Sequence, residues 1–488
     1  MNSISILLVV GIYSLLLFVI TWYTARNAGN SGFFKGNNQS PWYIIAYGMI
    51  GASLSGVTFM SVPGWVGTTQ FSYMMVVFGY LAGYTVIATV LLPLYYRLNL
   101  TSIYTFLEQR FGFWSYKTGA FYFLLSRTIG ASFRMFLVVT VLQTFVFDSL
   151  GVPFWITVLI FVCLILLYTY EGGIKTIIWT DTLQTTFMLL SVIISVFLIK
   201  SQLNMSFSSL IDRVSESGYL KMINTDINSK QFWVKQFFSG MFISIVMTGL
   251  DQEMMQKNLS CKNLKDAQKN MFSFSFVLVF VNLLFLFLGA LLYIYSQELN
   301  ISIPARTDEL FPSIAIEHLG TFAGLIFIIG LISAAYPSAD GALTSLTTSV
   351  CIDFLGFQSN SKLTEAQKKK TRVWVHISFA FVLLLVIIIF RAINDQAVVS
   401  KLFTVAGYTY GPLLGLYSFG LFSKRKPIDK FVPLVCLLSP IICYILNVNS
   451  KEWLAGYEFG FELLILNGLI TFIGLWVLSI KIKKAISL

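Results

Sequence analysis

Long apolar runs separated by short polar connections make up the chain from one end to the other. A helix needs about 20 apolar residues to cross a bilayer. Thirteen stretches come near that length, at about 4–24, 42–65, 73–96, 117–147, 153–170, 177–200, 231–255, 270–296, 320–352, 372–391, 397–422, 430–448 and 461–480. The first follows only Met-Asn-Ser-Ile-Ser, with no basic segment before it and no small-residue cleavage site, so it reads as a retained helix rather than a signal peptide. The expected class is an all-α membrane protein of about 13 transmembrane helices.

The basic residues orient this bundle. With the N-terminus outside, the inner loops and the C-terminal tail hold 22 of the 33 Lys and Arg residues. The outer loops hold only Lys200, Arg213, Lys221, Lys230, Arg306, Arg391 and Lys451. Such asymmetry sets topology, and adding or removing one span scrambles it. The N-terminus is therefore expected outside and the C-terminus in the cytoplasm, with a bacterial inner membrane as the expected location. Arg127, Arg134, Lys235 and Lys401 are left within spans or at their ends.

Two spans carry sequence that a lipid-facing helix would avoid. The second contains Tyr47-Gly-Met-Ile-Gly-Ala-Ser-Leu-Ser-Gly56, and the ninth contains Ile332-Ser-Ala-Ala-Tyr-Pro-Ser-Ala-Asp-Gly-Ala342. Open backbone at membrane depth is tolerated where it lines a cavity or is buried in protein, and interrupted helices mark binding sites in transporters. Glycines that merely permit close helix packing are the competing explanation.

Composition narrows the class further. Hydrophobic residues make up 56% and charged residues 11%, against about 25% charged in soluble domains. No segment outside the apolar runs is long enough to fold alone, so a single membrane domain is expected. The net charge of +11 does not indicate nucleic acid, because the charges sit in short loops as topology signals. Cys163, Cys261, Cys351, Cys436 and Cys443 have no metal-ligand spacing and read as packing residues.

Ionisable groups at membrane depth cost about 2.5–3.5 kcal/mol each on insertion scales, so each needs a reason. Among 22 acidic residues, nearly all fall in loops or at span ends, and Asp181 and Asp340 stand out. Asp340, Thr344, Thr347 and Thr348 share one helical face. A face of carboxylate and hydroxyl oxygens suits a hard cation or a proton, or a hydrogen-bonded seam between helices. Arg127 and Arg134 are two turns apart on one face. Arginine cannot shed its proton, so each must meet a carboxylate, carbonyls or an anionic solute, or snorkel. Pairing is favoured for Arg127, while Arg134 stays open between pairing and binding. Lys235 and Lys401 are expected to snorkel, and His376 to be a satisfied packing residue. P-loop, Gly-x-Ser-x-Gly and metal-spaced His/Cys groups are missing, so no enzyme is expected and uptake would be driven by an ion gradient.

Four stretches in order carry a family likeness: Gly51-Ala-Ser-Leu-Ser-Gly-Val-Thr-Phe59, Leu92-Pro-Leu-Tyr-Tyr-Arg-Leu-Asn-Leu-Thr-Ser-Ile-Tyr104 with Glu108-Gln-Arg-Phe-Gly112, Gly172 to Gln184, and Ser333 to Asp353. Over almost its whole length the chain resembles the sodium:solute symporter family, which includes sugar, proline, iodide and sialic acid cotransporters. The resemblance implies a LeuT-type core of two inverted five-helix repeats whose first helices are broken. Repeat one would cover about 42–200 and repeat two about 231–422. An extra helix at 4–24 precedes them and two helices at about 430–480 follow.

The resemblance also implies site residues. Its main sodium site falls on the carbonyls of Gly51, Leu54 and Ala334 and the hydroxyl of Ser338. Pro337 stands where many members have a second hydroxyl. Because proline has no N–H, the Ser333 carbonyl is freed in compensation. Some sialic acid symporters have a second sodium site, whose aspartate matches Asp181 but whose serine positions carry Pro337, Asp340 and Gly341 here. A second ion at Asp181 and Asp340 is thus an open expectation. Ser55, Thr58 and Arg134 match positions that hold an acidic sugar's carboxylate, whereas Ser244 and Met247 replace an asparagine and a tyrosine of the galactose branch. The expected function is sodium-coupled symport of a small organic solute, favouring a carboxylate-bearing sugar or other organic anion, with no obligate protein partner. A proton-coupled symporter of the same fold and a membrane-embedded sensor are the alternatives.

Overall fold

The computed structural model describes residues 3–25, 29–36, 39–170, 172–358, 363–393 and 398–481. Every one of the thirteen apolar runs coincides with helix. They are α1 (Ser3–Thr24), α2 (Trp42–Thr69), α3 (Tyr73–Arg97), α4 (Phe113–Leu150), α5 (Phe154–Thr169), α6 (Ile174–Gln202), the pair α7 (Trp233–Gly249) and α8 (Gln252–Leu259), α9 (Leu264–Glu298), α10 (Thr321–Phe354), α11 (Glu365–Ile393), α12 (Val398–Phe422), α13 (Asp429–Val448) and α14 (Leu463–Val477). Among the described residues, nine helices can each cross a membrane by length and composition, and α7 with α8 makes a tenth. Helices α5 and α14 are shorter, at 16 and 15 residues.

Large apolar side chains face outward as well as inward, while many polar side chains within the spans are buried, as expected where lipid is the solvent. Helix α9 shows it along one length: Phe276 and Phe280 are exposed, while Asn270 and Asn282 are buried. The expected span at 461–480 ends sooner, because Ser479–Lys481 leaves the helix and pairs antiparallel with Arg425–Pro427. Of the basic residues counted in the inner loops and C-terminal tail, Arg26, Lys362, Lys483 and Lys484 lie outside the described residues, as does the side chain of Lys481; the side chain of Lys401, at a span end, does too.

Among the described residues two long helices are broken, and both open an expected repeat. In α2 the break is a single residue, Ser55, at φ 45° and ψ 169°. The flanking glycines serve a different purpose. A Cβ at Gly51 would collide with Thr185 on α6, and one at Gly56 would press on Val138 of α4. The second break lies between α7 and α8, which bend by 65°. The carbonyls of Gly249 and Leu250 at this bend accept hydrogen bonds from Tyr95 and Tyr104 (2.8 and 2.9 Å). Asp251 then caps α8 by accepting from the amides of Glu253 and Met254.

The ninth span corrects an expectation. Helix α10 runs through Pro337 without any non-helical residue. Proline removes one ladder bond, and here every residue from Gly330 to Ser349 is buried against neighbours that hold the helix straight. On its far side, His376 of α11 is satisfied by Thr169 and Thr347 at 2.8 and 2.9 Å, as a packing residue should be.

Candidate ion and solute site

A cavity of about 750 Å³, part of it open to solvent, lies at the break in α2. The three residues expected to hold the solute all line it: Ser55 and Thr58 from α2, and Arg134 from α4. Tyr73, Tyr80 and Tyr84 of α3 form one wall, with the hydroxyls of Tyr73 and Tyr80 3.1 Å apart. Ser244 and Met247 of α7 line the same cavity, so the side chains that replace an amide and a phenol share it with Ser55, Thr58 and Arg134.

Arg134 is 8% exposed, has no carboxylate within ion-pair distance among the described residues, and leaves its Nε buried without a hydrogen-bond partner. A buried guanidinium cannot neutralise itself and is costly without an anion. The arrangement presents a permanent positive charge with fork geometry to whatever enters a cavity that the Ser55 and Thr58 side chains also line.

Gly51 and Leu54 sit in the turn of α2 just before Ser55, and Ala334 and Ser338 sit on the facing α10. All four are buried. Leaving helical geometry at Ser55 disturbs the i to i+4 ladder of that turn and loosens its carbonyls from their usual partners. The Gly51 amide is held from the other side, donating to Thr185 Oγ1 at 3.1 Å. Ser338 Oγ is buried with no hydrogen-bond partner among the described residues. Such an orphan needs an explanation, and a bound cation would provide one. The Ser333 hydroxyl donates to Tyr13 of α1 at 2.8 Å, which fixes α1 against the turn containing Pro337.

Asp181 and Asp340 differ from the cation face expected of them. Lys257 Nζ lies 2.7 Å from Asp181 Oδ2 and 3.4 Å from Glu253 Oε1. Glu253 is paired with Arg127, whose other nitrogen lies 3.9 Å from Asp251. Tyr410 of α12 donates to Asp251 at 2.8 Å. Asp340 accepts from Tyr168 at 2.9 Å and from the Gly341 amide. A continuous chain of buried charge therefore crosses the protein from α6 through α8 to α4 and α12.

This chain corrects two readings. Lys257, which follows the apolar run at about 231–255 and is one of the 22 basic residues counted to the inner side, is 1% exposed on its side chain and lies inside the bundle. Asp251 and Glu253, taken as span-end residues, are fully buried. The polar run Asp251-Gln-Glu-Met-Met-Gln-Lys-Asn258 looked like the end of a span because the break at 249–252 had placed a second, inward-facing helix there. A signal was present in the four-residue spacing of Glu253 and Lys257, which places both on one face.

A sequence model of the sodium:solute symporter family matches residues 33–427. The chain belongs to the sodium:solute symporter family. Similarity searches agree. The sodium/sialic acid symporter SiaT of Proteus mirabilis is 22% identical over 424 residues, covering 85% of this chain and 84% of the relative. NanT of Aliivibrio fischeri, also a sodium/sialic acid symporter, is 22% identical over 84% of this chain and 81% of its own. In structure, the chain superposes on a substrate-bound, outward-open sodium-coupled sialic acid symporter with a TM-score of 0.83 at 18% identity, covering 98% of this chain and 99% of the other. A nucleobase-cation-symport-1 family transporter matches at 0.56 and 13% identity over 90% and 92%. The symporter thus has the LeuT-type fold, and it couples the transport of an organic solute to sodium.

Proposed function

We propose that this symporter carries a carboxylate-bearing solute of the acidic-sugar class into the cell together with sodium. The observation that carries the reading is Arg134, a buried guanidinium in the cavity wall without a carboxylate partner among the described residues. Ser55 and Thr58 supply hydroxyls to the same cavity. The relatives named for sialic acid transport support the same class.

Sodium is held by the carbonyls of Gly51, Leu54 and Ala334 and by the hydroxyl of Ser338, a reading supported by the break at Ser55 and the unpartnered Ser338 Oγ. All four donors are oxygens, as a hard cation requires. Repeat one covers about 42–200 and repeat two about 231–422, a division supported by a broken helix at the start of each. The N-terminus faces outward and the C-terminus the cytoplasm of a bacterial inner membrane, as the distribution of Lys and Arg supports.

The test is a thermal-shift screen of the purified protein against neutral sugars, acidic sugars, amino acids and carboxylates, with sodium or with choline. Ligands that bind the folded state raise its stability. Stabilisation by an acidic sugar that requires sodium is expected. Stabilisation by neutral hexoses alone would refute the anionic class.

A further inference from the structure

A second sodium ion at Asp181 and Asp340 does not fit this site. The place beside Asp181 is taken by the Lys257 ammonium at 2.7 Å, and the same ammonium reaches Glu253 at 3.4 Å. A sodium ion beside this ammonium would meet a like charge in a buried setting, where nothing screens the repulsion. Nor do the three positions that carry serines in that second site offer hydroxyls. Pro337 has none, Asp340 is already bonded by Tyr168 and the Gly341 amide, and Gly341 has no side chain. A Cβ at Gly341 would collide with the Glu253 carboxylate. The absence of a side chain at 341 and the presence of Glu253 and Lys257 are therefore one packing arrangement.

We propose that Lys257 is a tethered cation occupying the second ion position, so that one sodium ion, not two, binds each molecule of this symporter. The inference rests on the sodium reading at Ser338 and adds a stoichiometry to it. The ammonium supplies the positive charge that Asp181 requires, and it does so without an ion having to be captured on every cycle. The remaining links, from Glu253 to Arg127 and on to Asp251 and Tyr410, connect that fixed charge to the cavity, which Arg127 also lines. One oxygen of Asp181, Oδ1, is buried without a partner, so removing the ammonium would leave a complete carboxylate open to a free ion.

Equilibrium binding of radioactive sodium to the purified full chain in detergent counts ions without any solute, with choline holding ionic strength constant. One ion per chain is expected for the wild type. Two are expected for Lys257→Met, which keeps the volume of the stem and removes its charge. The count should return to one when Asp181→Asn is added. Two ions on the wild type would overturn the proposal, as would one ion on Lys257→Met or two on the double variant. Lys257→Gln carries the same expectation if the methionine variant does not fold, and the wild-type count decides alone if neither does. No ion at all on the wild type is a different failure: it removes the sodium site at Ser338 and this inference with it.

Discussion

Two arginines on one face of α4, seven residues apart, have been given opposite surroundings. Arg127 is locked between Glu253 and Asp251 and belongs to a buried ionic chain. Arg134 has the same chemistry and comparable burial, but no carboxylate comes within ion-pair distance among the described residues. A protein that could satisfy one guanidinium from its own acidic residues has left the next one open, at a cavity. The contrast separates charge that holds the bundle together from charge held ready for a ligand.

The largest expected effect falls on the paired arginine. Arg127→Ala leaves Glu253 short of a partner, and breaking a buried pair costs about 3–5 kcal/mol. The melting temperature in detergent should fall sharply, and Arg127→Met combined with Glu253→Met should recover much of the loss. If Arg127→Ala is as well tolerated as Arg134→Ala, the contrast fails.

Arg134→Ala should do the reverse. Stability should hold or rise, because a costly unpaired charge is gone, while binding of an anionic solute weakens by about 1.5–3 kcal/mol, the worth of hydrogen bonds to a charged group. That is roughly 10–150-fold in Kd. Arg134→Lys should not restore it, because an ammonium lacks the planar fork. Titration of the solute by thermal shift reads both variants.

Ser338→Ala sharpens the comparison by touching neither arginine. Losing one ligand should lower sodium affinity about tenfold, in line with a hydrogen bond of about 1.4 kcal/mol, with solute affinity at saturating sodium unchanged. Uptake against sodium concentration separates the two.

The smallest effect is expected at the exposed end of the bundle, where Glu458 meets Lys451 at 2.6 Å and Lys230 at 3.0 Å. Hydrogen bonds from Lys451 and then Lys230 pull its carboxyl down to about 2. A depressed carboxyl stabilises fully above its unfolded value near 4.5 and loses that contribution as pH falls towards 2. Because the pair is partly exposed, Glu458→Gln should cost under about 1 kcal/mol. The difference from wild type should be constant between about pH 5 and 8 and shrink on acidification.

Much of this was legible in the chain. Apolar runs located all thirteen helical regions, since a lipid-facing surface leaves a long, unambiguous signal. Ser55, Thr58 and Arg134, read from the chain as solute residues, line one cavity. The ionic chain was not found, because Asp251, Glu253 and Lys257 belong to a half-helix that turns by 65° back into the bundle. Hydropathy reads such a polar segment as loop, and only the tertiary structure brings it against Arg127 and Asp181. Pro337 misled in the opposite direction, since burial on all sides keeps α10 helical through it.

The central claim is that an unpaired buried guanidinium selects an anion for sodium-driven uptake. Its most direct test is uptake of N-acetylneuraminate and of its methyl ester into proteoliposomes under an inward sodium gradient, with wild type and Arg134→Ala. The account predicts that wild type takes up the acid well ahead of the ester, and that Arg134→Ala abolishes this preference. Equal uptake of acid and ester by the wild type, or an undiminished preference in the variant, would contradict it.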